Sequence, residues 1–171
     1  WQVMVGMRGL NAAPYGKGWG TMSVDPAFVS EFKSGDTRRS ASIIDWEAEG
    51  ITSLAAFGDT YRDQREYTGY TIKKYSPLCY ADGTSASKED GSGDFQLSNH
   101  QDYVIMRYAD VLLMAAELGS PKAQEYFDEV RKRAYTSEGT LSANYSQLPV
   151  TKEDIMQERR LEFAFESINY W

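Results

Sequence analysis

Between Val104 and Leu118 the chain reads VIMRYADVLLMAAEL, apolar at almost every position except Arg107, Asp110 and Glu117. Steps of three and then seven residues separate those charges, which puts them on one helix face. A helix that is apolar nearly all round is a buried one, and an unpaired buried charge is costly, so these groups need partners. The candidates lie in Ile155 to Ile168, IMQERRLEFAFESI. Leu161, Ala164, Phe165 and Ile168 follow the i, i+3, i+4, i+7 pattern of a packing stripe, while Glu158, Glu162 and Glu166 form a separate line that pairs or meets water. Arg159 is expected to be a buried partner of Asp110 or Glu117.

Punctuation residues divide the rest. Gly119 supplies a helix stop, Ser120 an N-cap and Pro121 a first-turn residue, so the next helix, Lys122 to Ala134, must run roughly antiparallel to the first. Its Ala123, Tyr126, Phe127, Val130 and Ala134 form an amphipathic stripe. The cations Arg131 to Arg133 suit the end of a helix dipole. Thr151 and Asp154 have the spacing that caps a third helix. Earlier in the chain, Asp25-Pro26 predicts a short helix carrying Phe28, Val29 and Phe32 and ending at Gly35-Asp36. Ser40 to Ile44 and Gly69 to Tyr75 read as strands, and Ser76 to Asp102, rich in Ser, Gly and Asp, as a long surface loop. Organisation thus changes near residue 100, from loops with short strands to helices.

Composition removes several function classes. The net charge of −7, from 18 basic and 25 acidic residues, disfavours nucleic acid, which needs a basic stripe. Cys79 is the only cysteine and His100 the only histidine, so thiolate and multi-histidine metal sites are excluded. No apolar run of transmembrane length and no signal peptide is present. Phosphate-loop, Gly-x-Ser-x-Gly and His-Glu-x-x-His motifs are absent. Gly16-x-Gly18-x-Gly20 lacks the spacing of a dinucleotide fold and reads as a flexible loop. Asp90-Gly-Ser-Gly-Asp94 has oxygens for calcium but not the EF-hand register. No cofactor is implied.

The aromatic content does point somewhere. The chain holds 12 Tyr, 7 Phe and 4 Trp, more ring surface than folding requires. In Asn11-Ala-Ala-Pro-Tyr15-Gly-Lys17-Gly-Trp19-Gly20, glycines strip side chains from around Tyr15 and Trp19. Exposed rings suit the apolar faces of sugars, with Asn11 or Lys17 at the edge for hydroxyls. Trp19 could equally be ordinary core. Trp46 is a second candidate ring, although the alternation of Ile44, Trp46 and Ala48 also suits a buried strand edge.

Three runs, Arg107 to Glu117 (RYADVLLMAAE), Val130 to Ala134 (VRKRA) and Ile155 to Glu166 (IMQERRLEFAFE), resemble in order the carboxy-terminal part of the SusD/RagB family. Asp25-Pro26, Phe32, Asp36 and Arg38 or Arg39 resemble it more loosely. The connection at Leu118 to Pro121 is shorter than the family's usual one, and the family's Asp-Leu-Arg-type ending is missing after Trp171. The resemblance implies a mainly α, SusD-like fold: tetratricopeptide-like helical hairpins with irregular loops and a few short strands. It implies that residues 1–171 are the carboxy-terminal part of such a domain, loop-rich over 1–100 and helical over 101–171, without amino-terminal helical repeats and a last segment.

By the same resemblance, the function expected is non-catalytic capture of oligosaccharide or polysaccharide and its delivery to a SusC-like TonB-dependent transporter. Localisation would be the extracellular face of the outer membrane, held through an upstream lipid anchor. The ligand-binding residues expected are Trp19, Tyr15, Asn11 and Trp46. Two rivals remain open. One is a helical module binding a protein or peptide; the other is a glycan-degrading enzyme built on Glu158, Glu162, Asp45 and Glu47, which would need two carboxyls about 5–10 Å apart across a cleft.

Overall fold

Glycines that suggest a flexible loop in the sequence are close-packing positions in the fold. The structure, a computed structural model, describes residues 2–9, 11–51, 66–86, 94, 96 and 102–166. Residues 90–93, His100 and Ile168 therefore lie outside the described residues. Two compact units are formed, one of residues 1–29 and 40–102, the other of residues 30–39 and 103–171.

In the first unit, α1 (Gln2–Val5) leads into β1 (Met7–Arg8), which pairs in parallel with β2 (Lys17–Gly18). A Cβ on Gly18 would lie 2.5 Å from Gly6 Cα and 2.6 Å from the Val3 carbonyl, so only glycine lets the backbones pass here. Gly20, at φ +59°, donates its N–H to the Gly6 carbonyl at 2.9 Å. The helix α2 (Pro26–Val29) starts as Asp25-Pro26 predicts, with Asp25 Oδ1 accepting from the Ala27 N–H.

The next stretch corrects the sequence reading. Arg38–Ser42 is a short helix, α3, and only Ile43–Asp45 is a strand, β3. Asp36 Oδ1 accepts the Arg38 N–H at 3.0 Å and starts the turn, so local side-chain capping overrides the β-like pattern of Ser40 to Ser42. Of Gly69 to Tyr75, residues Tyr70–Ile72 form β4, antiparallel to β3 with Ile44 opposite Thr71. Met7, Tyr15, Ile44, Trp46 and Ile51 make the core of this unit, with Tyr67 against it.

The second unit contains α4 (Tyr108–Glu117), α5 (Ala123–Ala134), a hairpin of β5 (Thr136–Ser137) and β6 (Thr140–Leu141), and α6 (Lys152–Glu162). Among the described residues the fold is mainly helical with short two-stranded pairings, as the resemblance implies. Ser120 N–H donates to the Ala115 carbonyl and Gly119 N–H to that of Ala116, with Gly119 at φ +74°. That is the Schellman arrangement, and it ends α4 where the sequence places the stop. Thr151 Oγ1 accepts the Asp154 N–H and caps α6.

Both boundary helices are shorter than their patterns. Arg107 is the N-cap of α4 with extended backbone, φ −124° and ψ 157°, so Val104 to Met106 are not helical. At the other end α6 stops at Glu162, and Phe165 adopts φ +65°. Phe163, wholly buried, joins Leu112, Leu113, Ala116, Phe127, Val130 and Ile155 in the core; of the expected stripe, Leu161 and Ala164 are buried and Phe165 is half-buried.

The carboxylate line that starts on α6 is buried alongside Ile155 and Leu161. Glu158, Glu162 and Glu166 are 2%, 2% and 6% exposed. Arg38 binds Asp36 through Nε and Nη2 at 2.9 and 2.7 Å and Glu158 through Nη1 at 2.5 Å. Arg131 donates to the second Glu158 oxygen at 3.0 Å. Arg107 donates to Glu162 at 2.7 Å and to Glu166 at 2.8 Å, and Arg133 also binds Glu162. Arg131 and Arg133 thus belong to an ion network, where the sequence suggested only a dipole role. Arg159 pairs with Asp110 at 2.6 Å, as expected, while Glu117 is exposed. Guanidiniums of Arg107 and Arg159 lie 4.7 and 5.4 Å from the Phe163 ring centroid, adding cation–π attraction.

Removing one partner of such a network strands buried carboxylates without a counter-charge. Arg38→Ala is expected to lower unfolding free energy by about 3–5 kcal/mol, measured by urea denaturation. Lys122→Ala, in a solvent-exposed pair with Glu125, is expected to stay within about 0.5 kcal/mol of the parent. Arg159→Ala falls between them. Equal midpoints for Arg38→Ala and Lys122→Ala would refute the central role of the network.

Candidate functional site

Two turns of the first unit carry half-exposed rings, and backbone and side-chain bonds tie those turns together. The first is the aromatic loop. Ala12 and Tyr15 exchange backbone hydrogen bonds at 2.9 and 2.8 Å, closing a tight turn, and β2 follows directly. Trp19, next in line, donates its backbone N–H to the Val3 carbonyl at 2.7 Å and leaves its side chain 46% exposed. Of the four expected ligand residues, Trp19 alone presents a large ring to solvent.

Tyr80 lies on the second turn. Its N–H donates to the Thr84 carbonyl and its carbonyl accepts the Gly83 N–H, both at 2.9 Å. Asp82 Oδ1 accepts the Thr84 N–H and hydroxyl, and these bonds hold the Asp82 carboxyl below its usual range, the backbone bond most. Tyr80 is 44% exposed and Leu78 beside it 47%. Sequence reasoning passed over Tyr80 because it sits in a stretch dominated by Ser, Gly and Asp. The available signal was Tyr-Ala-Asp-Gly-Thr, an aromatic followed by residues that build a tight turn.

Asn11 joins the two. Its amide donates to the Gly83 carbonyl at 2.9 Å and its oxygen accepts the Lys17 N–H at 2.7 Å. Gly16 N–H donates to the Pro77 carbonyl, and Cys79 N–H to that of Pro14. Asn11 therefore acts first as a staple between turns, a role different from the expected edge contact to sugar hydroxyls. Lys17 stands beside it through the same bond.

Tyr15 and Trp46 are core residues, 5% and 3% exposed, which corrects their expected place on an open platform. Tyr15 is drawn inward because its hydroxyl donates to Glu49 at 2.5 Å, while Lys73 Nζ lies 5.4 Å from its ring centroid and 3.5 Å from Glu49. Trp46 buries its indole and donates Nε1–H to Thr71 Oγ1 at 2.7 Å. It also lines a recess with Arg8, Ser23, Tyr67 and Tyr70. That recess measures about 20 Å³, room for a water but not for a sugar ring.

Glu158 and Glu162 give hydrolytic chemistry no support. Glu158 and Glu162 are sealed against arginines, and the 2% of their surface that remains cannot reach a glycosidic bond. Among the described residues no cluster of His, Cys, Asp and Glu is arranged to hold a metal ion, and no helix is long and apolar enough to cross a membrane. Cys79, buried with its thiol on the Tyr15 carbonyl, has its pKa raised by burial and is a poor nucleophile.

A family model described as the SusD family matches residues 48–171. SusD-like protein P2 of Formosa agariphila is 27% identical over 175 residues, covering 95% of this chain and 32% of its own length. Surface glycan-binding protein A from Bacteroides thetaiotaomicron, also solved in complex with laminarihexaose, shares the fold with a TM-score of 0.76 at 23% identity, over 99% of this chain and 36% of that one. A laminarin-binding SusD-like protein gives a TM-score of 0.66 at 28% identity, over 96% of this chain and 33% of its own. The chain thus spans about a third of the length of these relatives.

Two outcomes test this geometry. Asn11→Ala removes a bond worth about 1 kcal/mol net, so exchange of the Lys17 amide is expected to quicken about fivefold by NMR; unchanged exchange would refute the staple. Burial, then the Glu49 hydrogen bond, raises the Tyr15 pKa above its usual 10.0, while Lys73 opposes the shift. The folded state therefore favours the neutral phenol, and the stability this contributes is lost as pH rises from about 10 through the raised value. In Glu49→Gln, an NMR titration of the Tyr15 ring is expected to give a lower pKa, and a higher one would overturn the assignment.

Proposed function

The chain belongs to the SusD family, and on that premise we propose that it is the part of a surface protein that captures oligosaccharide through the rings of Trp19 and Tyr80, without cleaving it. The observation that carries this reading is the pair of half-exposed rings on turns that Asn11 holds together. A pre-ordered ring costs little conformational entropy on binding, and its face suits the axial C–H groups of a pyranose. Lys17 and the Asp82 carboxylate supply polar partners for hydroxyls at the edges of these turns.

The names of the relatives support laminarin and its oligosaccharides as the first ligands to test. Delivery to a TonB-dependent outer-membrane transporter, and residence on the outer face of that membrane, extend the proposal through family membership. Sealed carboxylates support capture over cleavage.

Calorimetric titration with laminarihexaose, and with a panel of other plant, host and microbial oligosaccharides, tests the reading. Trp19→Ala is expected to weaken binding about tenfold, the loss of roughly 1.4 kcal/mol of stacking, with the thermal midpoint unchanged. Binding of no sugar by the folded protein would overturn the proposal, and affinity for a protein or peptide would replace it with the helical interaction module.

A further inference from the structure

The second unit holds an open cleft lined largely by hydroxyl groups. It measures about 400 Å³, within the range of small-molecule sites, whereas the recess beside Trp46 has room only for a water. Every lining residue belongs to that unit: Gly35, Asp36 and Thr37 from the turn before α3, and Tyr135, Ser137, Thr140 and Ser142 from the β5–β6 hairpin and its ends. Glu138 and Gly139, at φ +49° and +78°, form the two-residue turn that twisted strands prefer. Ser137 stands opposite Thr140, so their side chains share one face of the hairpin. Thr37 donates its N–H and hydroxyl to the Ala134 carbonyl at 2.8 and 3.0 Å, and Ser142 N–H donates to the Tyr135 carbonyl at 2.8 Å. At Gly35 a Cβ would collide with Ser142 Oγ, so glycine sets how closely the two segments approach.

Most of those hydroxyls are uncommitted. Ser137 and Thr140 are exposed and make no side-chain hydrogen bond among the described residues. Ser142 Oγ accepts the Asn144 N–H and keeps its own hydrogen to donate. Tyr135 is 3% exposed, and its phenol has no hydrogen-bond partner among the described residues, although a buried tyrosine hydroxyl ordinarily finds one. The cleft's one carboxylate, Asp36, already meets the Arg38 guanidinium through both oxygens. Hydroxyls that donate or accept, beside a carboxylate whose charge is balanced, match a neutral polyhydroxylated ligand better than a phosphate or a metal ion.

We propose that this cleft is a second saccharide site, which takes a neutral sugar residue through hydroxyl-to-hydroxyl bonds, with the Tyr135 phenol donating to a sugar oxygen. The site owes nothing to Trp19 or Tyr80 and stands whether or not the ring-bearing turns bind. A ring platform recognises the face of a sugar, and a set of hydroxyls recognises its edge. Because backbone bonds hold both segments in place before a ligand arrives, binding here costs little ordering.

Amide NMR of the protein, titrated with glucose, galactose, mannose and laminarihexaose, tests this directly. With at least one of these sugars the amides of Thr37, Ser137, Thr140 and Ser142 are expected to shift and saturate by about 100 mM. The same response is expected in Trp19→Ala, which separates this site from the ring-bearing turns. Tyr135→Phe removes one unpartnered oxygen and is expected to weaken the response about fivefold, with a thermal midpoint no lower than the parent's. Thr140→Val, on the exposed hairpin, is expected to weaken it as well and serves if Tyr135→Phe does not fold. No shift at these amides with any of the sugars, a response lost in Trp19→Ala, or parental affinity in the folded variants of Tyr135 and Thr140 would overturn the proposal. Tighter binding of glucuronate than of glucose would overturn the assignment to a neutral ligand.

Discussion

Glu158 and Glu162, one helical turn apart and both withdrawn from water, dictate how the second unit is built. Two adjacent buried carboxylates repel each other and lose their hydration, so they persist only where cations surround them. The cations come from three places: Arg38 with its own partner Asp36, Arg107 at the start of α4, and Arg131 and Arg133 on α5. Each guanidinium has a fixed fork, so satisfying it fixes angle as well as distance. The hydrophobic cluster beneath, from Leu112 to Phe163, could tolerate other packings of similar volume; the charges select one.

That division explains what the sequence could and could not reveal. Helix hairpins were legible because capping and periodicity are local: Gly119, Thr151 and the α5 stripe behave as their residue types require, although the N-cap of α5 is Lys122, two residues beyond the expected Ser120, because α5 begins only at Ala123. The Arg159–Asp110 pair was legible because both residues belong to recognisable helical patterns. Arg38 was not, since its partner Glu158 lies 120 residues away and nothing local in Thr-Arg-Arg-Ser announces it. The glutamate line left two outcomes open, pairing or solvent, and only the supply of arginines from elsewhere in the chain decides for pairing and burial.

The ring-bearing turns show the opposite limit. Trp19 was legible because glycines flank it, and Gly18 and Gly20 do set the local path of the backbone, though through close packing and a positive φ where flexibility had been read. Tyr15 and Trp46 have the same residue chemistry as Trp19 yet are buried, because Glu49 and Thr71 offer their polar tips partners inside the fold. Whether an amphipathic ring faces in or out is decided by where its one polar atom finds a partner. That partner is tertiary information in both cases.

Family motif and proposed binding surface therefore answer to different physics. The buried residues of the three family-like runs serve the ion network or the core. The family match spans residues 48–171 and takes in Tyr80, but Asn11, Lys17 and Trp19 lie outside it. A scaffold defined by buried charge accepts few substitutions, because Arg38 and Arg107 each satisfy more than one carboxylate. Turns held by a staple such as Asn11 can change their rings and edge groups at little cost to the fold. Ligand choice can then vary on the turns while the arginine and glutamate network stays as it is, which is the arrangement a fold needs if it is to present different sugars with one architecture.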